Sequence, residues 1–179
     1  PAAKINWTNS IFLSGIALAS LTVVPYHIWS QGIDLFQIVL FFCFFIATGL
    51  SITLGYHRLF AHKAFKAKWP VRLATLLFGA ATFENCVLAW TSDHRRHHKH
   101  VDHEEDPYDI SKGFWYAHIG WILFKKAPEP PWDNVLDLKK DKLVMFQSNY
   151  YLPIALIVSF VLPAAIGWLW AGASGDVKE

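Results

Sequence analysis

The chain has 179 residues, 54% of them hydrophobic and 16% aromatic, with nine tryptophans. Charged residues make up only 17% and the formal net charge is +2, against about 25% charged residues in ordinary soluble domains. That balance excludes a basic nucleic-acid-binding tail or an acidic tail, and it points away from a soluble protein.

No Asp, Glu, Lys or Arg falls between Lys4 and Asp34, between Asp34 and Arg58, or between Lys142 and Asp176. A helix needs about 20 mostly apolar residues to cross a bilayer's hydrocarbon core. The gaps therefore predict three transmembrane helices: about Ile11–Tyr26 with flanks, Leu35–Leu54 and Tyr150–Trp170. Buried core helices of a soluble protein are the alternative, but three such runs in so short a chain leave little to cover them. The first run is too long for a signal peptide and leads through the short "HIWSQGID" into the second. These two read as a transmembrane hairpin, about 9–56. Fourteen of the sixteen lysines and arginines lie from Arg58 to Lys142, and none lies in the loop His27–Asp34. The positive-inside rule then places the middle segment, about 57–149, in the cytoplasm. The third span, about 150–171, carries the chain to the outer face. The chain thus reads as C-terminally incomplete, with a fourth span expected beyond Glu179.

Within the middle segment, "HRLFAHKAFKAKWPVR" is expected to continue the second helix out of the bilayer until Trp69–Pro70 interrupts it. Residues 73–83, "LATLLFGAATF", are too few to span. They predict a buried or interfacial helix that runs on through "ENCVLAW" into a histidine cluster. "HEEDPYD" reads as a turn. "SKGFWYAHIGWILFKK" suits a helix on a membrane surface. "APEPPWD" is a loop, and "NVLDLKKDKLVMFQ" is amphipathic and leads into the third span. Cys43 and Cys86 form no C-x-x-C pair and read as two free buried thiols.

The stretch "TSDHRRHHKHVDHEED", Thr91–Asp106, holds five of the nine histidines. Spacings of three and four place His94, His97 and His98 on one helical face. Imidazole is a common ligand of iron, zinc, copper and nickel. His57 and His62, in "HRLFAH", point about 140° apart on an ordinary α-helix. They close on one centre only from two sides, or if the helix loosens there. His27 and His118 read as packing or interfacial residues. A basic face for anionic headgroups accounts for Arg95, Arg96 and Lys99 but not for the histidine spacing. The chain has no Glu-x-x-His and no His-Glu-x-x-His. Spacing alone leaves iron and zinc open, although only iron suits redox chemistry on a lipid. The clusters lie outside the spans, which counts against a metal transporter.

His-x-x-x-x-His followed by His-x-x-His-His, flanked by apolar spans, resembles the membrane fatty-acid desaturase family. "GYHRLFAHKAFKA", "WTSDHRRHHKHVDHEEDPYD", "GFWYAHIGWIL" and "DKLVMFQSNYYLP" are similar to its acyl-CoA Δ9 branch, from about residue 35 to about 170. The resemblance implies an all-α membrane protein, a single domain over 1–179, with a cytoplasmic helical cap carrying the histidine boxes. It implies oxygen-dependent desaturation of a saturated fatty acyl thioester, acyl-CoA at the Δ9 position. The cofactor implied is a di-iron centre, two Fe ions, with O2 as co-substrate. By position, His57, His62, His94, His97 and His98 would be iron ligands. Asn85 and Trp90 would lie near the bend of an acyl tunnel, Asp93 would handle substrate, Trp121 would lie near the metal site, and Lys125 would meet coenzyme A phosphates. The partners implied are the acyl thioester, the lipid bilayer and a separate electron donor: a ferredoxin, a rubredoxin or a small haem cytochrome with its reductase. No His-Pro-Gly-Gly of a fused haem domain occurs, and no nucleic acid is implied.

There are departures. Glu84 stands where the animal enzymes commonly carry Gln, and beside an apolar tunnel its charge would need a partner. Ser92 stands where they carry Arg, which puts the same grip on coenzyme A in doubt. Phe41 and Phe45 either close the far end of a tunnel or face lipid. The family's third box and fourth span are not in these 179 residues, so the chain alone is expected to be inactive. A membrane hydroxylase or alkane oxygenase uses similar boxes, and a non-catalytic membrane metal-binding protein is a further alternative. The flanking sequence favours the desaturase.

Overall fold

The computed structural model describes residues 4–124 and 129–174. Among them the chain forms helices and turns, with one isolated antiparallel bridge between Ile5 and Phe124. Helix α1 (Trp7–Gln31) is followed by α2 (Leu35–Leu50), which passes without a break into a π-helix, Ser51–Ala61. Then come α3 (Trp69–Ala80), α4 (Val87–Lys99), the short α5 (Trp121–Leu123) and α6 (Lys142–Asn149). The last run is α7 (Tyr151–Leu156), a π-helical turn Ile157–Val161 and α8 (Leu162–Ser174).

Three helical runs are long and apolar enough to cross a membrane: Trp7–Gln31, Leu35–Ala61 and Tyr151–Ala173. These are the three spans expected from the charge gaps. Neither α1 nor α2 has a buried residue, and Leu21 on α1 is 78% exposed. Contiguous apolar surface of this extent is not tolerated in water. Both helices satisfy their own backbone hydrogen bonds and need only hydrocarbon around them. That rules out the reading as core helices of a soluble protein. It also corrects the expected burial of Cys43: both cysteines are free, but Cys43 is exposed on α2 and Cys86 is half-buried.

The chain divides into two compact units, Leu35–His94 with Trp132–Glu179, and Pro1–Asp34 with Arg95–Pro131. In the first, the core gathers where the end of the second span and the start of the third meet the polar segment between them. Tyr56, Leu59, Phe60, Leu76, Val87, Leu88, Val135, Leu138 and Val144 form one cluster. A smaller one, Ala80 with Ile154, Ala155 and Val158, joins α3 to the third span. Helix α3 opens at Trp69 with Pro70 in its first turn, where the missing N–H has no helical partner to lose. Trp69–Pro70 therefore starts a helix rather than interrupting one. The helix expected to run through to the histidine cluster also breaks, because α3 ends at Ala80 and Phe83 and Asn85 adopt positive φ of 60° and 86°. Two tyrosines hold this turn: the Asn85 N–H donates to the Tyr151 hydroxyl at 3.1 Å, and the Tyr56 hydroxyl donates to the Asn85 carbonyl at 3.5 Å. Asn tolerates the left-handed region better than most residues.

Helix α6 begins at Asp141, whose carboxylate accepts from the N–H groups of Leu143 at 3.0 Å and Val144 at 3.4 Å and pairs with Arg72. Losing such a cap costs about 1 kcal/mol, and a partly exposed ion pair adds at most about 1 kcal/mol more. Asp141→Ala is thus expected to destabilise the protein by about 1–2 kcal/mol, read as a lower thermal midpoint in detergent. An unchanged midpoint would show that α6 needs no cap.

In the second unit, Asn6 caps α1. Its N–H donates to the Leu123 carbonyl at 2.7 Å, and Asn9 Nδ2 donates to the Ile122 carbonyl at 3.1 Å. The aromatic segment is thereby tied to the start of the first span. It is not one helix: a 3-10 turn Ile110–Lys112 and a π-helical turn Tyr116–Gly120 precede α5. Phe114 and Trp115 are exposed at 59% and 77%.

Candidate metal centre

The second span ends in the π-helix, and there the histidine geometry is decided. His62 N–H bonds to the His57 carbonyl, a five-residue step, at 3.0 Å. This wider turn sets residues five apart nearly above one another. The 140° separation expected on an α-helix is removed, and the two rings lie with centroids 4.5 Å apart. Helix α4 adds His94. Its Nε2 lies 3.0 Å from His62 Nε2, which is 3.1 Å from His57 Nε2. Ring nitrogens of His57, His62 and His94 all lie within 4.8 Å of one another, with His57 and His94 half-buried and His62 exposed. His98 stands one turn beyond His94 on the same helix.

These three nitrogens fit a metal ion. One ring nitrogen carries a single proton or a single lone pair, so it hydrogen-bonds one partner in its plane, whereas a cation accepts a lone pair from every ring. Two imidazole nitrogens each about 2.1 Å from one ion and at a right angle lie about 3.0 Å apart. That is the separation found here.

Trp90 backs the group. Its ring stacks on His94 at 4.8 Å and meets Tyr56 edge-on at 5.8 Å. Its indole N–H donates to Glu84 Oε2 at 3.1 Å, which supplies the partner that Glu84 needed. Desolvation pushes the Glu84 carboxyl above its ordinary range, and the indole hydrogen bond offsets part of that rise. A carboxyl whose folded pKa is raised favours folding while protonated, and that advantage is lost as pH rises through the folded pKa. Glu84→Gln keeps the size and can still accept from the indole. It is expected to raise the thermal midpoint at neutral pH and to leave it unchanged at low pH. A midpoint lowered at neutral pH would mean that the charge itself is needed.

His97 goes elsewhere. Positions three and four residues past His94 straddle its line on an α-helix, about 100° apart, so the expected single face resolves into two. His97 Nδ1 lies 2.9 Å from both carboxylate oxygens of Asp106, which is buried. Asp106 also accepts from the backbone N–H groups of Asp102 at 3.0 Å and Tyr108 at 2.9 Å. Burial pushes its carboxyl up, but those two backbone bonds and His97 outweigh it and hold the group below the usual carboxylate range. The Tyr108 ring lies 5.0 Å from His97 and 4.6 Å from Trp121. Trp121 is therefore one ring removed from a candidate ligand. Sequence reasoning passed over Asp106 and Tyr108, which lie in a stretch read only as a turn.

The remaining expected site residues are placed as follows. Asn85 sits in the turn between α3 and α4, its Oδ1 accepting from the Cys86 N–H at 2.8 Å. Asp93 is half-buried on α4 beside His94. Lys125 lies outside the described residues. Ser92 is buried, donating to Asn134 Oδ1 at 2.8 Å while Asn134 Nδ2 donates back to its carbonyl at 2.9 Å.

Residues 36–175 match the family model described as fatty acid desaturase. The chain belongs to that family and is a membrane protein. It is 37% identical over 174 residues to the acyl-CoA Delta-9 desaturase of Acheta domesticus, covering 93% of this chain and 47% of that protein. It is 35% identical over 182 residues to the stearoyl-CoA desaturase of Homo sapiens, covering 96% and 48%, and 35% identical over 175 residues to stearoyl-CoA desaturase 2 of Mus musculus, covering 94% and 47%. The chain thus spans less than half the length of these relatives.

Proposed function

We propose that this chain carries the membrane and first metal-ligating part of an acyl-CoA desaturase. Such an enzyme inserts a cis double bond into a saturated fatty acyl thioester with consumption of O2. The observation that carries this reading is the convergence of three imidazole nitrogens, 3.0 and 3.1 Å from one another in sequence, at the end of a membrane-length helix. His57, His62 and His94 hold metal, and His97 and His98 provide further ligands. A pair of iron ions held there would activate O2, the oxidant that an unactivated methylene requires. The protein's own part is positional: identical methylenes differ only in where they are held, so the walls select the bond. Trp90, fixed by stacking on His94 and by its bond to Glu84, is assigned to the wall beside the ligands. Asn85, Asp93 and Trp121 are assigned to substrate handling, and residues 1–179 to one domain. Lys125 is assigned to the coenzyme A phosphates. The fourteen basic residues of the middle segment put the histidines on the cytoplasmic side. Electrons come from a separate carrier protein.

The test is product analysis. The full-length gene product, expressed in cells lacking their own desaturase and given a deuterated saturated acyl chain, is expected to yield a labelled cis-monounsaturated chain. His94→Ala is expected to abolish it. A labelled alcohol would assign the chain to hydroxylation instead, and neither product would sink the enzymatic reading.

A further inference from the structure

His97 is held by a buried carboxylate. Its Nδ1 faces a carboxylate that is fully enclosed, at 2.9 Å from each oxygen. Asp106 accepts two backbone N–H bonds besides, one on each oxygen, so the carboxylate cannot rotate away. A carboxylate is acceptor-only, so the proton between the two groups sits on Nδ1. The tautomer is fixed as Nδ1–H, and the Nε2 lone pair faces outward from the Asp106 side. Tyr108, two residues on, packs against the same ring, and Trp121 packs behind Tyr108. One turn of chain, Asp102–Tyr108, thereby fixes both the proton and the plane of the His97 imidazole.

We infer that Asp106 is a positioning residue for His97: it holds the ring in the tautomer and orientation that offer Nε2 to a metal ion, and Tyr108 and Trp121 brace it. This rests on the metal reading above and adds to it an anchor that the histidine pattern does not contain. Carboxylate partners of metal-bound histidines raise ligand basicity, and their loss lowers metal affinity by about 10–100-fold. Asp106→Asn is the informative change. Its amide can accept with only one atom, so its NH2 must face either the His97 N–H or a backbone N–H.

The experiment titrates the full-length protein, stripped of metal in detergent, with ferrous or cobaltous ion alone under anaerobic conditions. It follows stoichiometry and the visible absorption of the cobalt form. Asp106→Asn is expected to lower the affinity for part of the bound metal by about 10–100-fold and to alter the cobalt spectrum. His97→Ala should do the same, and the double variant should be no worse than His97→Ala alone. A purely structural turn residue would give additive losses and an unaltered spectrum. Additive losses, or an Asp106→Asn protein that binds as the parent does, would overturn the inference. A parent protein that binds no metal would instead overturn the metal reading beneath it.

Discussion

His62→Ala is expected to lower the affinity for a first divalent ion by about two to three orders of magnitude. His62 is the hinge of the group, because its Nε2 is the atom within 3.1 Å of both His57 and His94. Structural metal sites gather roughly 10–16 kcal/mol from about four ligands. One ligand is then worth about 3–4 kcal/mol, and each 1.4 kcal/mol is tenfold. The loss should not be a folding defect. His62 is exposed, and surface substitutions usually stay within about 0.5 kcal/mol of the parent. Cobalt titration of the parent and the variant measures the difference, with thermal melting as the control for fold. His103→Ala, a change in the same histidine-rich stretch but outside this group, is expected to bind normally. Equal affinity in His62→Ala and parent would remove these three imidazoles from any metal site.

Gly79→Ala should cost about 2–4 kcal/mol, although it replaces the weaker helix former. In a helix interior that exchange alone gains about 1 kcal/mol, so the sign of the effect is the test. A Cβ at Gly79 would run into the Tyr56 ring, 2.9 Å from Cζ and 3.0 Å from Cδ1. Tyr56 cannot step aside: it is fully buried, and Gln147 Nε2 donates to its hydroxyl at 2.7 Å. Gln147 Oε1 in turn accepts the first N–H of α4, from Val87, at 3.1 Å. Overpacking costs about 1–3 kcal/mol, and disturbing a buried hydrogen bond adds about 1–3 kcal/mol. Thermal unfolding in detergent should show a lowered midpoint. Metal affinity should fall with it, since His57 follows Tyr56 in the chain. Tyr56→Leu in the same protein should return part of the loss, as coupled neighbours do. A Gly79→Ala protein that melts above the parent would mean that α3 and the end of the second span do not approach this closely.

The spans were legible because crossing hydrocarbon is a matter of length and composition, and no charge interrupts them. The histidine boxes were legible as candidate ligands through their resemblance, but their geometry was not. Whether His57 and His62 share a side depends on the type of helix beneath them. The π-helical stretch packs against residues distant in sequence, as where Gly55 backs onto Thr75 so closely that a Cβ would sit 2.7 Å from Thr75 Cβ, and such contacts are not visible in the local pattern. The break after Ala80 was hidden for the same reason. The hydroxyls that hold Asn85 belong to Tyr56 and Tyr151, 29 and 66 residues away. Asp106 was one acid among Glu104, Glu105, Asp106 and Asp109. Glu104 and Glu105 are exposed, Asp109 is buried but turns to the Ser111 N–H, and Asp106 is buried against His97; nothing in the letters themselves marks that difference. Ser92 stood out as a departure bearing on coenzyme A, yet it is spent on Asn134 inside the core.

The π-helix at the end of the second span constrains how this stretch can change. Histidines four apart would align on an ordinary α-helix. These are five apart and align only because the backbone is wound one residue wider. Spacing and winding are therefore a single trait. Removing one residue between His57 and His62 without rewinding the helix, or rewinding it without removing the residue, separates the rings. The side chains between the two histidines can be exchanged one at a time, but their number can change only together with the hydrogen-bonding step of the helix that carries them.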